Sequence, residues 1–192
     1  LIEITGEEVP ILDGSAREFV AGIMNVGIFE QNEPKSYFEI KQPISFVVPD
    51  SGSEYIALPD DEFNVTTLID YPSDIVKNQY AVLDSLATYA TEIAKSRTFV
   101  FLDELEYLAK NGLVKGGDLN NAIVIVDKKL TKEEVNSIAD LLHKPHIEYE
   151  PELGLLNNTS LHYTNELARH KLLDFIGDVS LVGMPIKGKI IT

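Results

Sequence analysis

The sequence predicts an α+β protein in which antiparallel sheet is layered with helices. Three observations predict it. Between residues 37 and 71 lie three strand candidates separated only by turns. Helical periodicity falls elsewhere, at 15–27, 84–95, 102–110, 131–142 and 164–182. One continuous apolar run, Ala122 to Val126, suits a buried strand.

Taken in order, residues 1–12 read as a strand (Leu1 to Ile4), a turn at Thr5-Gly6-Glu7-Glu8 and a short strand from Val9 to Leu12. Asp13-Gly14-Ser15 leads into a helix, with Ser15 as N-cap and Glu18 three residues on. Phe19, Val20, Ile23 and Val26 give it an apolar face, and it stops near Gly27. Gln31-Asn32-Glu33-Pro34-Lys35 marks a linker or domain boundary. From Tyr37 to Val48 the pattern alternates, with Pro43 as a break. Tyr55 to Leu58 is short, and Phe63 to Tyr71 is rich in β-branched residues. Ser51-Gly52-Ser53 and Asp60-Asp61 are the turns between them, so an antiparallel meander is expected.

Asp84 to Lys95 is expected to be a helix with Leu86, Tyr89, Ala90 and Ile93 inward, broken by Ser96-Arg97-Thr98. Leu102 to Lys110 is a second helix, stopped by Asn111-Gly112. Thr131-Lys132-Glu133-Glu134 can cap a helix running to Leu142; Ile147 to Tyr149 suits a strand, and Gly154 to Leu161 reads as irregular. The block at about 127–165 has the texture of an insertion. Thr164 is a fair N-cap for a long helix that ends before Gly183-Met184-Pro185, and Ile186 to Ile191 is a last strand.

Bulk composition narrows the function. The 192 residues are 44% hydrophobic, as in a core-forming globular chain of one large domain or one and a half ordinary ones. There is no cysteine, so a disulfide framework and a thiolate metal site are both excluded. That absence fits a reducing compartment, and a cytoplasmic location is the expectation. The formal charge of −15 argues against a nucleic-acid surface, which needs a basic footprint. No apolar run approaches the roughly 18 residues of a membrane span. Leu1 falls inside a strand-like stretch and Lys189 to Thr192 is again strand-like, so a piece of a longer polypeptide is expected.

The chemistry concentrates on one helix. Glu166, His170, Asp174 and Asp178 are spaced four apart and share one slowly drifting face. Carboxylates at that spacing repel by a few tenths of a kcal/mol when exposed, and a bound cation would remove the repulsion. His and Asp one turn apart are a workable pair of zinc ligands. A solvated acidic face that contains a histidine is the other reading, and spacing alone does not choose. His143 and His146 flank Pro145 and read as exposed loop residues; His162 reads as packing at the helix entrance. Gly116-Gly117 precedes a strand, so it reads as a turn rather than a phosphate cradle. Thr98 reads as a cap or turn residue whose hydroxyl could donate to an oxyanion. Lys171 is either a solvated lysine or a contact for an anionic ligand.

Several segments together resemble a known family. Glu8-Val9-Pro10-Ile11-Leu12-Asp13-Gly14-Ser15-Ala16 resembles the segment after the HxxEH-type motif of the zinc-dependent UDP-3-O-acyl-N-acetylglucosamine deacetylases (LpxC) of lipid A synthesis. Arg97-Thr98-Phe99-Val100-Phe101, Glu106-Tyr107-Leu108, Gly112-Leu113 with Gly116-Gly117, and Asn121-Ala122-Ile123-Val124 resemble its second-domain core in order and spacing. Arg169-His170-Lys171-Leu172-Leu173-Asp174-Phe175-Ile176-Gly177-Asp178 resembles its HKxxDxxGD zinc helix.

The resemblance implies zinc as cofactor, with His170 and Asp174 as two of three protein ligands. It implies Thr98 as donor to the tetrahedral oxyanion, Phe99 packed on the sugar and Lys171 on the phosphates of a UDP-linked acylated amino sugar. Asp178 would orient a catalytic histidine. Leu102, Leu105, Val114 and Gly117 would line a passage for the acyl chain. Residues 1–30 would end the first deacetylase domain and 31–192 would form the second, truncated at its end and carrying the insertion at about 127–165. The family's first zinc histidine and glutamate base would lie before Leu1, and its other catalytic histidine just past Thr192, so the isolated chain is expected to be inactive. Val100 replaces a usual glycine, and Leu58 stands where a phosphate-contacting lysine is often found. The long block at 127–165 resembles versions fused to a dehydratase (FabZ), which implies a bifunctional parent. A non-catalytic α+β interaction module that keeps the deacetylase fold is the alternative.

Overall fold

The last strand of the chain lies in the middle of its main sheet. A computed structural model describes residues 2–111, 119–157 and 159–192. The chain divides into two compact units, one of Ala16–Ser96 with Leu161–Thr192, the other of Leu1–Ser15 with Arg97–Ser160. Both mix sheet and helix, so the α+β class holds.

The first unit begins with α1 (Arg17–Val26) and then holds β1 (Phe38–Glu39), β2 (Ile44–Val47), β3 (Glu54–Leu58), β4 (Phe63–Asp70) and β5 (Asn78–Leu83). A 3-10 turn at Leu86–Thr88 runs into α2 (Tyr89–Glu92). The unit resumes with a long helix at Glu166–Ser180 and a strand at Ile186–Ile191, called α5 and β10 below after the intervening elements are counted. The sheet order is β2-β3-β10-β4-β5, with β1 also paired to β10. This corrects the expected meander. β3 and β4 follow each other in the chain, but β10 lies between them, antiparallel to β3 and parallel to β4. Residues along Ile186 to Ile191 point alternately to the two faces of the sheet. Ile190 turns into the core, and at Gly188 a Cβ would fall 2.5 Å from Ile40 Cδ1, so only glycine lets Ile40 seat over the strand.

α5 covers this sheet. Leu167, Ala168 and Leu172 are buried, as are Val65, Ile69, Ala81 and Leu83 of β4 and β5, the strands against which α5 packs. Each such leucine stabilises by roughly 1.5–3 kcal/mol. Tyr55 of β3 stacks on Phe175, with ring centroids 6.2 Å apart.

Three further expectations need correction. Ser15 does not cap α1: Ala16 holds that position, and the Ser15 hydroxyl donates to Asp13 Oδ1 at 2.7 Å instead. No residue of α1 is buried, and its expected apolar face leaves Ile23 and Val26 exposed. The helix expected from Asp84 to Lys95 shrinks to the 3-10 turn and α2, capped by Ser85, though Ile93 does point into the core. β5 carried no expectation at all. Its inward residues are Gln79, Ala81 and Leu83 and its outward ones include Tyr80 and Val82, so polarity barely alternates.

The second unit holds β6 (Phe99–Phe101), α3 (Leu102–Lys110), β7 (Ile123–Ile125), α4 (Lys132–Leu141), β8 (Tyr149–Glu150) and β9 (Leu155–Leu156). Its sheet order is β6-β7-β9-β8, with β6 and β7 parallel. The segment expected to bridge two helices, Arg97 to Phe99, instead enters a strand. The strands expected within residues 1–12 do not form among the described residues; no neighbouring strand takes up their backbone groups. α4 begins as expected, with a capping box: Thr131 Oγ1 accepts the Glu134 N–H, and Glu134 Oε2 accepts the Thr131 N–H at 2.7 Å. The stretch read as an insertion supplies α4, β8 and β9, and its Ile138, Ala139, Ile147 and Leu156 pack with Leu102, Leu105, Val124 and Val126 in one core.

Candidate functional site

α5 places the histidine of interest by two constraints. Its apolar side is buried on the sheet, which fixes the helix rotation and turns His170 inward, 6% exposed. His170 Nδ1 lies 2.9 Å from the Ser96 carbonyl oxygen. A carbonyl only accepts, so Nδ1 carries the proton and Nε2 faces outward from that bond. Asp174, one turn on, brings Oδ1 to 3.3 Å from Nε2.

That separation is informative. Two ligand atoms bound to one tetrahedral zinc at about 2.0–2.2 Å are about 3.3–3.6 Å apart, and the observed separation lies at the short end of that range. A neutral imidazole lone pair facing a carboxylate oxygen needs something positive between them, a proton or a metal ion. The donor set therefore fits a divalent cation, as half of a complete shell. Among the described residues no cluster of three or more His, Cys, Asp or Glu side chains is placed to hold a metal.

Lys171 completes the local charge balance: its Nζ lies 3.1 Å from Asp174 Oδ2. Burial pushes the Asp174 carboxyl up, but the hydrogen bonds and charges of His170 and Lys171 outweigh it and hold the group below the usual carboxylate range. Lys171, Asp174 and Asp178 line one cavity of about 860 Å³ together with Tyr55, Thr67 and Asp70. Thr67 Oγ1 is buried without a hydrogen-bond partner among the described residues. Asp178 itself is exposed.

The acidic-stripe reading is corrected at Glu166. It is 0% exposed, and its carboxylate accepts the His162 backbone N–H at 2.6 Å. This bond fixes the chain entering α5, a task expected of Thr164; the N-cap is Asn165 and makes no side-chain capping bond.

In the other unit, Thr98 is held by its backbone. Its N–H donates to Gly14 O and its carbonyl accepts the Ile123 N–H, both at 2.8 Å. Gly14 has φ +80°, and a Cβ there would fall 2.0 Å from Asn121 O. The motif Asp13-Gly14-Ser15 thus serves as a seat for Thr98 and Asn121. Phe99 and Phe101 meet edge to face, centroids 6.5 Å apart. Leu102 (3% exposed) and Leu105 (9%) belong to the core of this unit. Val114 and Gly117 lie outside the described residues. Sequence reasoning missed the Ser96 carbonyl, a backbone group no side-chain pattern reveals, and the roles of Tyr163, Asn165 and Arg169 at the start of α5.

Fold and site together define an α+β chain with a His–Asp pair on the helix that covers its main sheet. The chain belongs to the LpxC family: the family described as UDP-3-O-acyl N-acetylglycosamine deacetylase matches residues 1–144 and 148–192. It is 47% identical over 191 residues to a bifunctional enzyme LpxC/FabZ of Bacteroides thetaiotaomicron and 45% to one of Porphyromonas gingivalis, covering 100% of this chain and 41% of each relative. It is 37% identical over 190 residues to a UDP-3-O-acyl-N-acetylglucosamine deacetylase of Nitratidesulfovibrio vulgaris, covering 99% of this chain and 53% of that protein. The chain thus spans about two-fifths to one half of the length of the curated relatives it matches.

Proposed function

We propose that the chain forms part of a zinc-dependent deacetylase that removes the acetyl group of UDP-3-O-acyl-N-acetylglucosamine in lipid A biosynthesis, releasing acetate. The observation that carries this reading is the 3.3 Å approach of His170 Nε2 and Asp174 Oδ1 on a helix matched to that family. His170 and Asp174 would hold the zinc; a third ligand and a general base would come from outside these 192 residues. When bound, zinc would polarise the acetamide carbonyl and lower the pKa of its water to about 7. Thr98 would donate its hydroxyl to the oxyanion, where one such donor is typically worth about 3 kcal/mol. Lys171 would meet the nucleotide's phosphates at the polar cavity it lines, Phe99 would pack on the sugar, and Asp178 would orient a catalytic histidine. Leu102 and Leu105, with Val114 and Gly117, would border the acyl passage. Residues 1–30 would belong to the first catalytic domain and 31–192 to the second, with an insertion at about 127–165. Higher identity to the bifunctional relatives than to the single-function one favours a parent fused to a dehydratase, and the absence of cysteine is in keeping with a cytoplasmic setting.

The test is zinc content and deacetylase turnover of the intact protein with His170→Ala and Asp174→Ala. Both variants are expected to lose zinc and turnover. Wild-type zinc and activity in either would overturn the reading. That result would leave α5 without a catalytic role and favour instead a non-catalytic module that keeps the deacetylase fold.

A further inference from the structure

We infer that Arg169 is a positioning residue: with Tyr163 it bolts the start of α5 to the end of α2 and so sets His170 for the metal. The inference rests on the zinc reading given above. α2 is a single turn, and its last carbonyls have no continuing helix to satisfy them. The start of α5 supplies the missing donors. Arg169 Nη1 donates to Glu92 O at 2.6 Å, and the Tyr163 hydroxyl donates to Thr91 O at 2.9 Å. The two side chains also hold each other, with the guanidinium carbon 4.4 Å from the Tyr163 ring centroid. Asn165 ties the clamp to a third element: its Oδ1 accepts Arg169 Nε at 2.9 Å and its Nδ2 donates to Tyr80 O of β5 at 2.8 Å.

The geometry has a direct consequence for the next residue. Ser96, whose carbonyl meets His170 Nδ1, lies four residues beyond Glu92, and its N–H returns to Ile93 O at 2.9 Å. The segment that receives Arg169 is therefore the segment that orients the imidazole. Sliding α5 against residues 91–96 would break both bonds together. Arg169 touches neither Nε2 nor Asp174 Oδ1; it acts by fixing the register that presents them. The planar fork matters here, because lysine offers a point charge that cannot hold Glu92 O and Asn165 Oδ1 in the same plane.

The experiment uses the intact protein with Arg169→Gln, Arg169→Lys and Tyr163→Phe. Zinc affinity is measured by chelator competition, folding by circular dichroism, and the His170 tautomer by long-range proton–nitrogen NMR of the zinc-free protein. Arg169→Gln is expected to weaken zinc about 10-fold, the low end of what losing a direct partner of a ligand costs, because Arg169 acts through the segment that carries the Ser96 carbonyl. It is also expected to spread His170 over both tautomers, with kcat falling more than KM changes. Arg169→Lys should lie between, and Tyr163→Phe should shift both readouts in the same direction by less. A folded Arg169→Gln protein with wild-type zinc affinity and the Nδ1–H tautomer intact overturns the inference. If Arg169→Gln does not fold, wild-type values in the other two variants overturn it. If the wild type takes up no zinc, the functional reading has failed, and the tautomer alone decides the clamp.

Discussion

At the scale of the residue, the site is a matter of which lone pairs are left over. Ser96 engages one nitrogen of His170, and Asp174 meets the other at 3.3 Å. Thr98 has both backbone groups engaged, which leaves its hydroxyl as the chemically available group. Gly14→Ala tests that seat. The positive φ alone costs about 1–2 kcal/mol for alanine, and the new Cβ must also displace Asn121 O. The expected outcome is a lower unfolding midpoint in urea and, on the proposed function, a reduced kcat in the intact protein; unchanged values would show that Gly14 is not needed there. His170 and Asp174 were legible because four residues make one helical turn whatever surrounds the helix. The burial of Glu166 was not, because a carboxylate in the first turn reads as solvated until the His162 N–H is seen folded back onto it.

At the scale of the element, the helices behave as their boundaries suggest. Leu172→Ala removes a fully buried side chain from the α5–sheet interface and is expected to cost about 2–5 kcal/mol in denaturant unfolding. Thr131→Ala removes the cap of α4 and should cost about 1 kcal/mol. Hydrogen bonds from Thr131 hold the Glu134 carboxyl below its ordinary 4.5. A depressed folded value means the stabilisation is present above pH 4.5 and lost as pH falls through the folded value. The melting difference between wild type and Glu134→Gln should accordingly be steady near neutrality and vanish in acid; a difference that persists at the lowest pH would contradict this. The reach of sequence reasoning is visible in the same elements. α3, α4 and β10 carry strong periodicity or explicit caps and fall where expected. β6 is three residues long, and β5 has apolar groups on both faces, so neither shows a period to read. β10's insertion between β3 and β4 depends on a pairing more than a hundred residues away along the chain, which local pattern does not encode.

At the scale of the whole molecule, family membership and the geometry of α5 point the same way, while the chain spans 41% of the bifunctional relatives. Prepared alone, the 192 residues are expected to bind zinc weakly and to show no turnover, since among the described residues no third donor joins His170 and Asp174, where three protein ligands are usual. Metal analysis after gel filtration checks this; stoichiometric zinc together with turnover would overturn it.

Because β10 joins two hairpins that are complete without it, the main sheet has a keystone that reaches the ribosome exit after every strand it must join. Until Ile186 to Ile191 arrive, β3 and β4 each present an open edge, the kind that invites pairing with another chain. A nascent or truncated chain ending before Ile186 should therefore self-associate, and a peptide copying residues 186–191 added in trans should suppress that association by occupying the gap.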